Sequence, residues 1–456
     1  MSHIMPALAL ALPAAACAAD DAELRALREE MARIRASFEQ RIDMLERKLA
    51  QSEAQAGSAG TPDAPPQAST AVPNPPATSN AFNPDLSLIL SASYGATRRD
   101  PDTYRITGFH LPAANLDEAR PARGFSLAES ELSFSANVDH LFYGQLNLSI
   151  HPDDSVATEE AFVHTSALAH GLTLKAGRYF SGLGYLNEQH AHTWDFADMP
   201  LAYQVFLGGQ FNNDGLQLRW LAPTETYLEL GAELGRGANY PGSGSKGNGA
   251  GAGVLYAHLG GDVGMSSSWR AGLSYLSTRP QNRTWDDTDR SSQAVTNRFS
   301  GRSRLWIVDA VWKWAPNGNA TRTNFKLQGE YLRRTEKGDV SYDVDGASLG
   351  PATDLYSALQ TGWYLQGVYQ FAPYWRLGLR TERLHNGAVD YAANNAALLR
   401  PDYSPARNSF MIDYNPSEFS RVRLQLAQDK SRQGLSNNTL ILQYQMSLGA
   451  HGAHKF

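Results

Sequence analysis

Leu172-Thr173-Leu174-Lys175-Ala176-Gly177-Arg178-Tyr179 and Gly215-Leu216-Gln217-Leu218-Arg219-Trp220-Leu221 bracket the stretch on which the fold turns. Both segments read as strands, the second turning at Ala222-Pro223-Thr224; in its Leu216, Leu218 and Trp220 against Gln217 and Arg219, one face is dry and the other wet. The residues between them do not alternate, and their centre reads Asn187-Glu188-Gln189-His190-Ala191-His192-Thr193-Trp194-Asp195-Phe196-Ala197-Asp198-Met199-Pro200. Loops of this length are functional or disordered, and this one is too aromatic for disorder. It is expected to fold inward over 181–213 as a constriction formed by Glu188, Trp194, Asp195 and Asp198.

The same period of two runs from Asp85 to Phe456, as in Trp269, Ala271, Leu273 and Tyr275 against Arg270, Gly272 and Ser274. Sixteen candidate strands begin near 86, 126, 141, 156, 172, 215, 226, 252, 268, 303, 323, 361, 374, 407, 419 and 438. Alternate connections are short turns, such as Val138-Asp139-His140 and Ala372-Pro373-Tyr374. The others are long and polar: 96–124, 181–213, 236–250, 279–301, 335–356 and 385–405. Trp312, Trp314, Trp363, Tyr369, Tyr414 and Tyr444 fall near strand ends. An even strand number, one side of short turns and an aromatic girdle predict an all-β chain, a transmembrane antiparallel barrel over 83–456. In the last strand Leu440, Leu442, Tyr444, Met446 and Leu448 share a parity with Phe456, against Gln443, Gln445 and Ser447.

The 456 residues carry a net charge of −6, too mild to point to nucleic acid. Residues 1–18 read as a signal peptide, with an apolar run before Ala16-Cys17-Ala18; a lipoprotein signal at Cys17, the single cysteine, is the alternative. In 20–51, Leu24, Leu27, Met31, Ile34, Phe38, Ile42, Leu45 and Leu49 form the seam of a periplasmic coiled-coil helix. Such a seam fits self-association, with a trimer expected for a barrel; a solvated helix lying on its own barrel is the other reading. Residues 52–82, rich in Pro, Ala and Ser, form an extended, disordered linker.

The barrel resembles Gram-negative outer-membrane porins of the phosphate-selective type, chiefly at Leu174-Lys175-Ala176-Gly177-Arg178-Tyr179-Phe180-Ser181-Gly182-Leu183-Gly184 and Asp214-Gly215-Leu216-Gln217-Leu218. Asn187 to Phe196 and the closing Leu448 to Phe456 are similar to proteins labelled zinc-regulated outer-membrane receptors, here without a TonB plug. The resemblance implies a transport role in the outer membrane, contact with lipid and lipopolysaccharide, and a Phe456 read by the barrel-insertion machinery.

The wet parity gives a lumen inventory: Glu129, Glu131, Glu229 and Glu233 on early strands, Arg219, Arg270, Lys326, Arg376, Arg380, Arg421 and Arg423 mostly on later ones. Across a closed barrel these make a transverse field that biases ion passage; they are also the polar residues any wet lumen needs. His190 and His192 with Glu188 and Asp195 carry the side-chain chemistry of a Zn²⁺ site, although loop packing accounts for the same residues. Gly242 to Gly247 matches G-x-G-x-x-G without a following helix, and Asp286, Asp287 and Asp289 read as a solvated loop. No catalytic triad is found, and no resident cofactor is expected.

Three functions remain open at this level. One is a passive, trimeric channel for small hydrophilic solutes with a loop-built constriction, a reading that fewer than fourteen strands or a lumen filled by side chains would overturn. The others are uptake of zinc or a zinc complex through His190 and His192, and a structural barrel tethered to periplasmic partners.

Overall fold

The computed structural model describes residues 84–449 apart from 113–119, 129 and 244–247. The expected signal peptide, coiled-coil helix and linker, with Glu129 and Phe456, lie outside the described residues.

The wall runs β1 Asp85–Thr97, β2 Gly124–Leu127 continuing as Ser130–Asn137, β3 Phe142–Ile150, β4 Val156–Thr165, β5 Leu172–Phe180, β6 Asn212–Leu221, β7 Tyr227–Gly235 and β8 Ala252–Val263. It continues with β9 Ser267–Thr278 extended by Arg283–Thr288, β10 Ala294–Trp314, β11 Asn324–Tyr342, β12 Ala352–Ala372, β13 Trp375–Asp390, β14 Ala406–Ser417, β15 Ser420–Lys430 and β16 Asn437–Gly449. Among the described residues eighteen hydrogen-bonded segments form one sheet. Two of them continue a neighbour, since both pieces of β2 pair with β1 and both pieces of β9 pair with β10, which leaves sixteen wall strands. The antiparallel pairing of β1 with β16, from Ser87 opposite Gly449 to Thr97 opposite Thr439, closes the ring and removes both sheet edges.

Side chains sort by parity as the alternation requires. Leu216, Leu255, Leu273, Leu379, Leu442 and Leu448 face outward and are about half exposed or more, an apolar band of the kind that faces lipid. On β16 the intervening Gln445 and Ser447 are buried inside. At the short-turn end Trp375 packs at a tilt against its register partner Tyr414, ring centroids 4.8 Å apart, with Trp312 and Tyr369 in the same girdle. Trp363 stands in mid-strand instead, because β12 begins nine residues before the expected 361.

That difference recurs. The expected long loops 279–301 and 335–356 are largely strand, and β10, β11 and β12 reach 21, 19 and 21 residues. A membrane crossing needs about 9–11, so these hairpins project beyond it. Water on their outer side removes the apolar parity that marks a strand in lipid. Their inward side chains pack together instead, with Trp285, Phe299, Val340, Tyr342 and Tyr356 in one buried cluster.

Candidate functional site

Between β5 and β6 the chain does not return by a turn. Its two ends are tied by Asn187, whose Nδ2 donates to the carbonyls of Ser181 at 2.8 Å and Phe211 at 2.9 Å while its Oδ1 accepts from the Phe211 N–H at 2.7 Å. The excursion from 181 to 211 holds a single helical turn, Ala191–Thr193, and a short helix, α1 Leu201–Leu207, every residue of which is buried. Pro200 precedes α1 at a position where no N–H is lost, and Gly208 ends it at φ 69, the left-handed cap that glycine adopts without a Cβ clash.

Wall side chains on both sides of the ring satisfy the segment's polar groups. Carboxylates accept its backbone N–H groups: Glu233 from Gly182 at 2.9 Å, Glu330 from Leu186 at 3.0 Å, and Glu382 from Leu201 at 2.6 Å. Guanidinium and ammonium groups take its acids. Arg219 meets Glu188 at 2.5 Å, Lys326 and Arg376 meet Asp195 at 2.5 and 3.3 Å, and Arg380 and Arg407 meet Asp198 at 2.6 and 3.0 Å. Burial alone would raise the carboxyl pKa of Asp195, but Lys326 and Arg376 outweigh it and hold it below its ordinary range. Burial acts the same way on Asp198, and Arg380 and Arg407 bring it down to about 2.

The apolar side of the segment packs differently. Leu183, Leu186, Tyr203, Phe206 and Phe211 share one buried cluster with Tyr256, Leu305, Ile307, Leu332, Tyr364 and Leu384 of β8 and β10–β13. Here the inward face is not wet, contrary to the expectation for a water-filled lumen. The run Leu305-Trp306-Ile307-Val308 carries that signal, because a strand covered on both faces loses its alternation. Trp194, expected in the constriction, lies in the same cluster and donates its Nε1–H to the Gln189 carbonyl at 2.8 Å.

The described residues of the lumen inventory all meet the segment or an inward neighbour. Arg270 lies over the Tyr185 ring, 5.2 Å from its centroid; Arg421 donates to the His192 carbonyl at 2.8 Å, and Arg423 to the Trp194 carbonyl at 2.9 Å. Glu229 contacts His258 at 3.2 Å, and Glu233 accepts from Gln217 at 2.7 Å. Arg380 and Arg423 are almost wholly covered, so they hold the segment rather than face water. Beneath the segment, on the short-turn side, opens a cavity of ≈ 790 Å³ whose wall includes Glu131, His190, His192, Lys326, Arg376 and Arg421.

The expected metal ligands divide. Glu188 and Asp195 are engaged by the cations above and do not join the histidines, a consequence of the basic wall opposite them. In their place stands Glu131 of β2, whose Oε2 lies 3.1 Å from Nδ1 of both His190 and His192. Burial would lower the His190 pKa, but hydrogen bonds to Glu131, Glu159 and Glu160 raise it well above the ordinary imidazole value. Asp286, Asp287 and Asp289 do not converge either; Asp289 accepts from Tyr342 at 2.7 Å and Ser348 at 2.6 Å, closing a loop.

Glu160, Glu330, Glu382, Arg407 and Asp413 were not among the sequence-derived site residues, yet each anchors the segment or its anchors. Parity was the available signal: Glu330 is four residues from Lys326, and Glu382 two from Arg380, on the same inward faces.

No family model matches the sequence. An uncharacterized protein of Aquifex aeolicus (strain VF5) is 32% identical over 410 residues, spanning 84% of this chain and 81% of that protein. Among solved structures, OprB of Pseudomonas putida aligns over 80% of this chain and 94% of its own, at 15% identity and TM-score 0.47. The outer membrane channel DcaP of Acinetobacter baumannii aligns over 80% and 97%, at 12% and 0.47. The anion-selective porin of Comamonas acidovorans aligns over 80% and 99%, at 11% and 0.47.

Proposed function

We propose that this chain, which belongs to one family with the uncharacterized Aquifex aeolicus protein, is an outer-membrane channel for passive diffusion of small hydrophilic solutes or ions. The observation that carries this reading is a closed barrel with an apolar outside, crossed by one segment that binds both sides of its ring. A wall of this kind needs lipid around it and has no use for a charged, cavity-forming interior unless something polar enters.

In this reading the 181–211 segment narrows the pore. Its apolar side leans on β8 and β10–β13, so passage follows its charged side, past Glu131, Arg376 and Arg421. The expectation that a filled lumen opposes an open channel then becomes a statement about aperture: the space left beside the segment sets the conductance. Assembly as a homotrimer through the N-terminal seam of residues 20–51 belongs to the same proposal, as does orientation with the short turns and that seam on the periplasmic side.

Single-channel current across a planar bilayer, recorded in metal-free buffer under a salt gradient, tests the reading. Discrete steps with a steady conductance support it. A protein that inserts and passes no current points to a closed receptor or a structural barrel. Removing residues 20–82 should leave the current per barrel unchanged while lowering the mass measured in detergent; an unchanged mass removes the assembly role.

A further inference from the structure

We propose that Glu131, His190 and His192 form a binding site for a divalent transition-metal cation at the edge of the short-turn cavity. The inference rests on the channel reading, because it gives the 181–211 segment a cargo or regulator.

The geometry begins with the local chain. His190 caps and His192 lies within the helical turn Ala191–Thr193, where Thr193 donates both its N–H, at 2.9 Å, and its Oγ1–H, at 2.8 Å, to the His190 carbonyl. The two side chains lie on one side of the chain there, their rings stacked at 5.7 Å and 25°. Both Nδ1 atoms then face one oxygen of Glu131, and one ligand atom from each of the three residues lies within 4.8 Å of the others. The wall provides the carboxylate and the crossing segment both imidazoles, so a bound ion would bridge the two.

The surrounding groups orient these ligands as a metal centre requires. Glu131 turns its other oxygen, Oε1, to the Ser133 hydroxyl, which donates at 2.7 Å and leaves Oε2 for the histidines. His190 meets the Glu160 carboxylate through Nε2 at 3.0 Å. An imidazole that donates its Nε2–H to a carboxylate presents its Nδ1 lone pair to a metal, the carboxylate–histidine–metal arrangement. The charge balance points the same way. Glu131, Glu159 and Glu160 converge on two imidazoles, and Glu159 lies 3.2 Å from His190 Nδ1. A divalent ion replaces the protons that would otherwise offset these acids, which leave to solvent on binding.

Two imidazole nitrogens and one carboxylate oxygen select zinc and its neighbours over Mg²⁺ and Ca²⁺, which take oxygen shells. Three protein ligands leave a coordination position open toward the cavity, as at sites that exchange a water or a substrate.

Calorimetric titration of the detergent-purified full chain with ZnCl₂, MgCl₂ and CaCl₂ tests the site, and the absorption of bound Co²⁺ reports its geometry. The expected result is one Zn²⁺ per chain, no comparable Mg²⁺ or Ca²⁺ binding, and a tetrahedral Co²⁺ spectrum. His190→Ala with His192→Ala and, separately, Glu131→Gln should abolish both signals, while Glu160→Gln should weaken Zn²⁺ by about tenfold. His451→Ala with His454→Ala should leave binding intact. Zn²⁺ binding unaltered by the double histidine variant, or equal binding of Mg²⁺, overturns the proposal, as does loss of binding only when the C-terminal histidines are removed. A gel-mobility difference between heated and unheated samples confirms that each variant still forms a barrel, with His192→Gln as the milder substitute. The metal-free conductance is read independently, so loss of the site and loss of the channel are separate outcomes.

Discussion

Arg380 of β13 donates through Nη2 to Oδ1 of Asp198 at 2.6 Å and through Nη1 to its backbone carbonyl at 2.8 Å, so one wall residue holds both the side chain and the main chain of the crossing segment. The same guanidinium reaches Glu382 at 2.8 Å, and Glu382 accepts the first N–H of α1 from Leu201. Side chain, cap and helix are therefore one connected unit. Removing one carboxylate from a network of covered charges is destabilising, because the remaining cations are then under-compensated. Asp198→Ala should leave Arg380 and Arg407 to share the single carboxylate of Glu382 and loosen the segment. The expected record is a larger and noisier single-channel conductance with unchanged barrel content by circular dichroism; a conductance like that of the unaltered protein would detach this latch from the aperture.

The latch also sets a pH response. Asp198 lies in the segment between the spanning strands, and its carboxyl pKa falls from 3.8 to about 2 because Arg380 and Arg407 together outweigh its burial. A depressed pKa contributes stability that is complete above the ordinary value and is lost as pH falls toward the folded one. The segment should accordingly be held at neutral pH and down to pH 3.8, then loosen as pH approaches about 2. Conductance measured from pH 6 downward should stay flat and rise only at the acid end. A rise centred near neutrality would assign the response to another group.

The wall was legible in the sequence because lipid on one side and polar groups on the other impose a period of two that nothing else in the chain disturbs. All sixteen strands fall where Leu216, Leu273, Leu379 and their counterparts placed them. Strand ends were less legible: Ala294 to Arg302 and Ala352 to Gln360 leave the membrane, and their apolar parity turns inward, toward Phe299 and Tyr356. The crossing segment was visible as an anomaly between Phe180 and Asn212. Its partners were not, since which wall acid meets which backbone N–H depends on a path through the lumen that no local pattern encodes. The case of Glu131 shows this, because it is separated from His192 by 61 residues and joins it only when β2 and the turn after His190 are both in place.

Gly231 of β7 offers a steric test of the same region. A Cβ added there would lie 1.9 Å from Cζ of the Tyr256 ring, which covers the glycine and whose hydroxyl accepts a hydrogen bond from Arg219 Nε at 3.2 Å. Gly231→Ala must displace that ring from the apolar cluster, at a cost of about 1–3 kcal/mol for an overpacked site. It should also free Arg219 from one of its partners. The thermal transition in detergent should fall, and the change should be absent in a Tyr256→Ala background, where the space is already open. Equal losses in both backgrounds would mean that the strand backbone, not the ring, resists the methyl group.

Charge is unevenly distributed around the cavity: Glu131 and Glu160 lie on β2 and β4, and Lys313, Lys326, Arg376 and Arg421 on β10, β11, β13 and β15. Asp195 offsets Lys326 and Arg376 through close pairs, whereas Arg421 is held by the neutral His192 and Trp194 carbonyls and Gln445. Its positive charge therefore acts on passing ions with less local cancellation than that of Lys326 or Arg376. In a water-filled passage a unit charge some 4 Å from an ion is worth about 1 kcal/mol, roughly fivefold in relative permeability. Arg421→Gln should move the reversal potential under a salt gradient toward cation preference by up to that factor. Lys326→Gln should do less on this account, because it leaves Asp195 to Arg376. If the two substitutions shift the potential equally, the pairing seen around Asp195 does not govern which ions pass.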